Sequence, residues 1–452
     1  MGLNAEIWKP LQGKILFCRN QAYYNYFLNP LMSEYIFKER NAGLMKILLT
    51  NTGPWGTGSG TTADGVLKEL RAQGISAKAF FPDSKFQSTD MEQYYGNPET
   101  YHIAAFPAVY GNTYLYTFPL IITDPNPRNY QQAWTFRDMT YREINAYFNY
   151  MERELKALVN NFKPDLVECQ HIWALDFLCH KMGLPFICVA HHSDQEGFKR
   201  DERMRNMALN SAQKASYIFA VSDYVREEVI DLYRLPPGKV ITIENGYDQE
   251  VFKPGREDRQ SLMEKIDKKI PKDMPVITFC GKISKTKGVD ILLEANKVVQ
   301  EKRKVLILIF GSGSLEEFRK GRDPDKYSLE NVVVMGHRPQ KELASFHRLA
   351  QMSLLPSRWE GFGIAALEAM GCGIPVVASG VGGLKKIAAG RIVPPEDSRG
   401  LAEAILEILE LPQSNYQELC QQALSSALAY SWKSRVDQRL PYYEEAIKGR
   451  AL

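Results

Sequence analysis

The stretch that most restricts what this chain can become runs from Ser357 to Met370: Ser-Arg-Trp-Glu-Gly-Phe-Gly-Ile-Ala-Ala-Leu-Glu-Ala-Met. An apolar run, Met352-Ser353-Leu354-Leu355, precedes it; another, Ile374-Pro375-Val376-Val377-Ala378, follows after Gly371-Cys372-Gly373. Short apolar runs bounded by glycine read as buried strands of a parallel sheet. The middle therefore reads as a glycine-bearing turn and a helix starting near Phe362. A helix that begins just past a strand end presents free backbone N–H groups and the positive end of its dipole, which suits phosphate. Glu360 lies in the turn, and Glu368 lies about two helical turns further on. Two glutamates at this spacing mean little alone; the Gly-Phe-Gly and Leu-Glu-Ala-Met around them give the pair its weight.

In that context the stretch resembles the E-x7-E signature of retaining glycosyltransferases of family 4. The resemblance implies the α/β fold called GT-B, two Rossmann-like doubly wound domains facing across a cleft. It implies that Glu360 faces the donor sugar and that Glu368 holds the ribose hydroxyls of a nucleotide. The chemistry agrees, because a carboxylate accepts two hydrogen bonds and so suits a vicinal diol. The resemblance covers roughly residues 45 to 446. It implies an acceptor domain over 45–253, a nucleotide-sugar domain over 254–431 and a helix returning to the first domain at about 432–446. Residues 1–44, rich in aromatics without clear periodicity, read as an extension of unknown role.

At 452 residues the chain exceeds one hydrophobic core, so more than one domain is expected. A net charge of +3 makes no case for nucleic acid. No apolar run approaches the length of a membrane span, and Ile15 to Cys18 is too short for a secretory segment. The seven cysteines form no C-x-x-C pair, which fits reduced thiols and a cytoplasmic location.

Strand and helix alternate along most of the chain, the pattern of a parallel sheet wrapped by helices. Strands are expected at Met45–Leu49, Asp165–Cys169, Pro185–Ala190 and Tyr217–Val221, with helices at Thr61–Gln73, Tyr141–Phe162, Trp173–Met182 and Asp223–Tyr233. In the second domain, strands are expected at Val276–Cys280, Val305–Phe310 and Asn331–Met335, and helices at Gly400–Leu409 and Trp432–Ala446. Gly58-Ser59-Gly60-Thr61-Thr62-Ala63 fits the dinucleotide pattern G-x-G-x-x-A, but the loop before it is too long for that tight turn. A long glycine-rich loop suits an interdomain cleft better. From Ser84 to Tyr150 aromatics accumulate, among them Tyr94, Tyr95, Tyr101, Tyr114, Tyr116, Tyr130, Trp134 and Phe136. They could stack on an acceptor sugar, or equally serve core packing. Glu196 to Lys214 holds five cations against three acids; a solvated helix face competes there with contact to an anionic acceptor or a membrane surface.

The family resemblance assigns further residues. Gly58 stands near the donor phosphates, at the second position of the family's Gly-Gly pair. His191, delivered by the strand Pro185–Ala190, meets the donor sugar; neighbouring histidines on extended chain point opposite ways, so His191-His192 makes a poor metal pair. Gly281 to Gly288 resembles the family's Gly-Arg-…-Lys-Gly segment, with Lys282 in the arginine position and Lys287 in the lysine position. Fixed cations there stabilise charge developing on a departing diphosphate. Lysine lacks the two-pronged geometry of arginine, so the exchange at 282 loosens phosphate orientation. Gly311, Arg338 and the helix start at Phe362, Gly363 and Ile364 complete the substrate-binding set. Lys386 stands where the family's Gly-Gly-x-x-Glu carries its acid, which bears on specificity. Asp323-Pro324-Asp325 imitates a D-x-D metal motif but reads as a turn.

Together these imply transfer of a hexose from a nucleotide-sugar, UDP favoured over GDP, to a hydroxyl of a carbohydrate, lipid-linked or small-molecule acceptor. No metal or other cofactor is expected, nor nucleic acid; a peripheral membrane contact has no support in the sequence. The alternatives are another enzyme on this fold, a sugar-nucleotide epimerase or a phosphorylase, and a non-catalytic binding subunit.

Overall fold

The computed structural model describes residues 45–55, 57–84, 96–122, 134–266, 270–319 and 324–449. The N-terminal extension, Tyr94, Tyr95, Tyr130 and Asp323 lie outside them. Two parallel sheets carry the chain. The first orders its strands β3-β2-β1-β6-β7-β8-β9: β1 Lys46–Asn51, β2 Ser76–Ser84, β3 Tyr101–Phe106, β6 Leu166–Gln170, β7 Phe186–Ala190, β8 Ile218–Ala220 and β9 Val240–Thr242. A hairpin of β4 Ala108–Tyr110 and β5 Thr113–Leu115 stands apart from it. The second sheet runs β12-β11-β10-β13-β14-β15: β10 Val276–Cys280, β11 Leu306–Phe310, β12 Val332–Gly336, β13 Met352–Leu355, β14 Val376–Ser379 and β15 Gly390–Val393.

The strands are apolar because helices cover both faces of a parallel sheet; β6, β7, β11, β13 and β14 are buried at every position. In both sheets the chain lays strands outward from one strand, then returns to its other side. The reversal falls between β1 and β6 in the first sheet and between β10 and β13 in the second. A crevice opens at the carboxyl ends of the strands where the order reverses. The glycine loop follows β1, the Lys282–Gly288 segment follows β10, and the Glu360 turn follows β13.

Helix boundaries follow local chemistry. Tyr141–Phe162 starts as expected, at a capping box in which Thr140 and Glu143 satisfy each other's backbone N–H groups. The first helix starts at Gly58, three residues before the expected Thr61, because the Thr57 side chain caps it by accepting from Gly60 N. Ile364–Gly371 begins two residues after Phe362. The helix Gln413–Leu428 was not anticipated: it buries only Leu419, Ala423 and Ala427, too small a stripe to stand out in sequence.

The aromatics of 96–150 are mostly core. Trp134, Phe136 and Tyr101 are buried, and Phe136 meets Trp173 and Tyr147 edge to face. Tyr114 is exposed on the hairpin. The chain crosses between the sheets twice, side by side. Tyr247 N donates to Tyr430 O at 3.1 Å, and Tyr247 bridges to Ser431. Ser431 caps the helix Trp432–Lys448, which packs back on β6 and β7.

Candidate active site

In the second sheet, adjacent strand ends line up the expected residues. Gly281 N donates to Phe310 O at 2.9 Å, and Gly311 N donates to Gly336 O at 3.0 Å, so the exits of β10, β11 and β12 are stitched together. Lys282 and Arg338 stand exposed on this edge, Arg338 within 3.9 Å of Glu342. Lys287, half-buried, donates to Glu360 Oε2 at 2.5 Å, joining the loop after β10 to the turn after β13. Arg358 fastens the two loops. Its backbone N–H donates to Thr286 O at 2.9 Å, and its guanidinium binds Asp290 by two 2.8 Å bonds. A bidentate pair of this kind fixes direction as well as distance.

The Glu360 turn rests on Gly382, which has a φ of +48° and lies so near that a Cβ there would run into the Glu360 carbonyl. The turn then enters Ile364–Gly371 through Gly363, while Phe362 is buried against Tyr430. Glu368 sits one helix face inward, 8% exposed. Burial, reinforced by Asp248, pushes its carboxyl up to about 8. Burial also raises the Cys280 thiol, which Glu368 pushes further up and Lys287 pulls down. Lys287, Glu360 and Glu368 thus gather around the end of β10.

The first lobe meets this group directly. A Cβ on Gly361 would lie 2.8 Å from the carbonyl oxygen of His191, and the Trp359 ring stands edge-on to His192 with centroids 4.8 Å apart. His191 Nε2 lies 2.8 Å from Gln170 Oε1 and its ring faces His171. Burial, then His171 and Arg439, holds its imidazole well below the usual range. Gly58 is exposed at the start of its helix, where a Cβ would meet no protein atom within 4 Å. The first lobe therefore brings the His191 backbone against the Glu360 turn, while the His191 ring turns inward to Gln170.

His192 takes a different part. Its Nδ1 bonds Glu228 Oε2 at 2.6 Å, and Glu196 lies in the same cluster. Lys199 Nζ reaches Glu196 at 2.9 Å and Glu228 at 2.6 Å, placing an ammonium between the two carboxylates. Part of the basic segment is likewise consumed internally. Arg203 donates to the carbonyls of Met139 and Phe136, each at 2.6 Å, and Arg205 to those of Phe198 and Lys199 at 2.8 and 2.7 Å. Arg203 and Arg205 are thus engaged within the lobe, whereas Lys199, Arg200 and Lys214 stand exposed on the face expected to be solvated. Lys386 spans the lobes, 2.6 Å from Glu244 and 3.7 Å from Asp223.

Sequence reasoning passed over Glu168, Gln170 and Arg358. The first two did leave a signal: polar residues at alternate positions of an otherwise apolar strand, Leu-Val-Glu-Cys-Gln.

Comparison with known proteins resolves the assignment. A model described as Glycosyltransferase Family 4 matches residues 56–251, and one described as Glycosyl transferases group 1 matches 260–425. The chain belongs to glycosyltransferase family 4. A family 4 relative, D-inositol 3-phosphate glycosyltransferase 1 of Catenulispora acidiphila, is 33% identical over 54% of this chain and 58% of its own. The D-inositol 3-phosphate glycosyltransferase of Saccharomonospora viridis is 30% identical over 53% and 58%. The matched part thus spans less than two thirds of these relatives. Among solved structures, sucrose-phosphate synthase of Thermosynechococcus elongatus superposes with a TM-score of 0.65 at 19% identity, over 90% of this chain and 100% of that one. Anabaena HepE, in complex with UDP and glucose, gives 0.67 at 18% identity, over 89% and 100%. These likenesses establish the GT-B fold for this family 4 chain. No helix among the described residues is long and apolar enough to cross a membrane.

Proposed function

We propose that the chain is a retaining glycosyltransferase that moves a hexose from a nucleotide-sugar, a UDP-sugar in preference to a GDP-sugar, to a hydroxyl acceptor without a metal. The observation that carries this reading is the Lys287 ammonium 2.5 Å from the Glu360 carboxylate, at the lip where Gly361 meets His191. One bond apart, the two side chains are spaced for one to meet a phosphate and the other the sugar attached to it. Lys282, Lys287, Gly58, Gly311 and the amides at Phe362, Gly363 and Ile364 receive the diphosphate. Arg338 stands beside the base, Glu368 takes the ribose, and Glu360 and His191 orient the sugar. The acceptor oxygen bonds to the anomeric carbon on the face the diphosphate leaves, the sugar–phosphate C–O bond breaks, and a phosphate oxygen takes the acceptor proton. Fixed cations stabilise the departing charge. HepE, which carries UDP and UDP-glucose in its structures, supports the uridine preference by fold likeness.

The test is transfer from a panel of nucleotide-sugars. Lys287→Ala or Glu360→Ala should lower kcat by about 10²–10³-fold with an unchanged circular dichroism spectrum; wild-type turnover in either variant overturns the assignments. Chelator should leave the rate unaltered, and a rate abolished by chelator and restored by a divalent ion refutes metal independence. The Lys386–Glu244 pair, at a position where the family carries an acid, favours a second reading as a binding subunit on this fold. Donor binding without transfer to any acceptor would select it.

A further inference from the structure

A line of buried polar side chains climbs one face of the first sheet toward His191. Glu168 and Gln170 of β6 are two residues apart and so face the same way. Gln170 pairs in register with Val189 of β7, which makes His191 the next residue on that face. His191 Nε2 lies 2.8 Å from Gln170 Oε1, and Gln170 Nε2 donates to Glu168 Oε1 at 2.8 Å. The other oxygen of Glu168 accepts from the Tyr443 hydroxyl. Arg439 Nε stands 3.3 Å from that oxygen, a charge contact off the line of a directed hydrogen bond. Glu168, Arg439 and Tyr443 have no exposed surface. Charges at that depth persist only when paired.

The chain of bonds has a direction. A carboxylate only accepts, so Gln170 must turn its NH₂ to Glu168 and its carbonyl to His191. That carbonyl also only accepts, so the His191 Nε2 must carry hydrogen. Burial beside His171 and Arg439 keeps the ring neutral, with one proton to place. Nδ1 is left with its lone pair.

We propose that Glu168, gripped by Tyr443 and Arg439 of the C-terminal helix, acts through Gln170 to fix His191 in its Nε2–H form, so that Nδ1 accepts a hydrogen bond from a hydroxyl of the donor sugar. Glu168 and Gln170 are positioning residues, and the proposal rests on His191 facing the donor sugar as in the reading above. It adds a rule of selection: a sugar presenting a hydroxyl to Nδ1 is taken, whereas a carboxylate or carbonyl there meets lone pair with lone pair and is refused.

The experiment reads the tautomer and the kinetics of the full chain separately. With ¹⁵N-labelled histidine, the long-range ¹H–¹⁵N signal that disappears in His191→Ala should show the Nε2–H pattern in the wild type and a tautomer mixture in Gln170→Leu. An Nδ1–H or doubly protonated ring at neutral pH in the wild type overturns the relay. Gln170→Leu should lower kcat about tenfold with the donor KM within about twofold, and should cost nothing further in a His191→Ala background. Losses that multiply in the double variant overturn it. Tyr443→Phe, which keeps the ring, should lower kcat by the same route and stands in if Gln170→Leu does not fold; an unchanged kcat there counts against the relay. Wild-type transfer by His191→Ala sinks the role given to His191 and this proposal with it, whereas a required His191 in the wrong tautomer sinks the relay alone.

Discussion

Glu368 carries a pH signature that follows from its surroundings. Its carboxyl, ordinarily 4.5, is raised to about 8 in the folded chain by burial and then by Asp248. Two ribose hydroxyls bond best to an ionised carboxylate, so in the ribose role proposed for Glu368 nucleotide binding must release that proton. Affinity for a nucleoside diphosphate should rise with pH and level off above about 8, falling by up to about tenfold per unit below. Calorimetric titration from pH 6 to 9 reads the slope, which Glu368→Gln should flatten; a flat wild-type profile refutes the ribose role. Stability runs the opposite way, because the folded form holds the proton more tightly than the unfolded one. The resulting stabilisation is full below pH 4.5 and lost as pH rises to about 8. Without ligand the wild type should lose unfolding free energy across that window relative to Glu368→Gln.

At the level of elements, the decisive object is the turn between β13 and the helix Ile364–Gly371, with its support at Gly382. Alanine at 382 combines a left-handed backbone with a Cβ against the Glu360 carbonyl. Gly382→Ala should cost about 1–3 kcal/mol in urea unfolding and weaken donor binding, because the displaced atom belongs to Glu360, the residue proposed to meet the sugar. A stability and affinity equal to wild type would show that the support is dispensable. This turn was legible in the sequence because its parts are local: a buried strand, glycines, an apolar helix and a second strand lie within 30 residues or so, roughly one βαβ unit. The alternation of strands and helices was legible for the same reason. Side chains that meet through the fold were not. Gln170 reaches His191 only because β6 pairs with β7, and Arg358 reaches Asp290 only because β13 lies beside β10. In sequence Trp134 and Phe136 suit a sugar platform or a core equally well; only the packing of Phe136 against Trp173 and Tyr147, and of buried Trp134 against Tyr116, shows that they build the core. Pro441 lies within the returning helix yet leaves it whole from Trp432 to Lys448, since burial against the sheet outweighs one lost backbone bond.

At the scale of the whole molecule, Lys386 tests how much the approach of the two lobes matters. Its ammonium lies 2.6 Å from Glu244, which also takes Arg435 at 3.2 Å. Lys386→Glu would set a third acid beside Glu244 and Asp223. The lobes should then separate at low ionic strength, read as a larger radius of gyration in solution scattering, and kcat/KM for the donor should fall several-fold. Salt should reverse both effects, since the groups are partly exposed and screened; Lys386→Met should produce a weaker change. A loss that salt does not touch would mean that the residue acts on substrate rather than on the gap. The Trp432 indole fills the space above both Gly65 and Gly246, where neither position leaves room for a Cβ. Because both crossings of the chain run beside that ring, any swing of one lobe must turn about it as about an axle. A swing of that kind would carry the rim at Lys386 furthest and Tyr247 and Ser431 least, opening the mouth without loosening the spine.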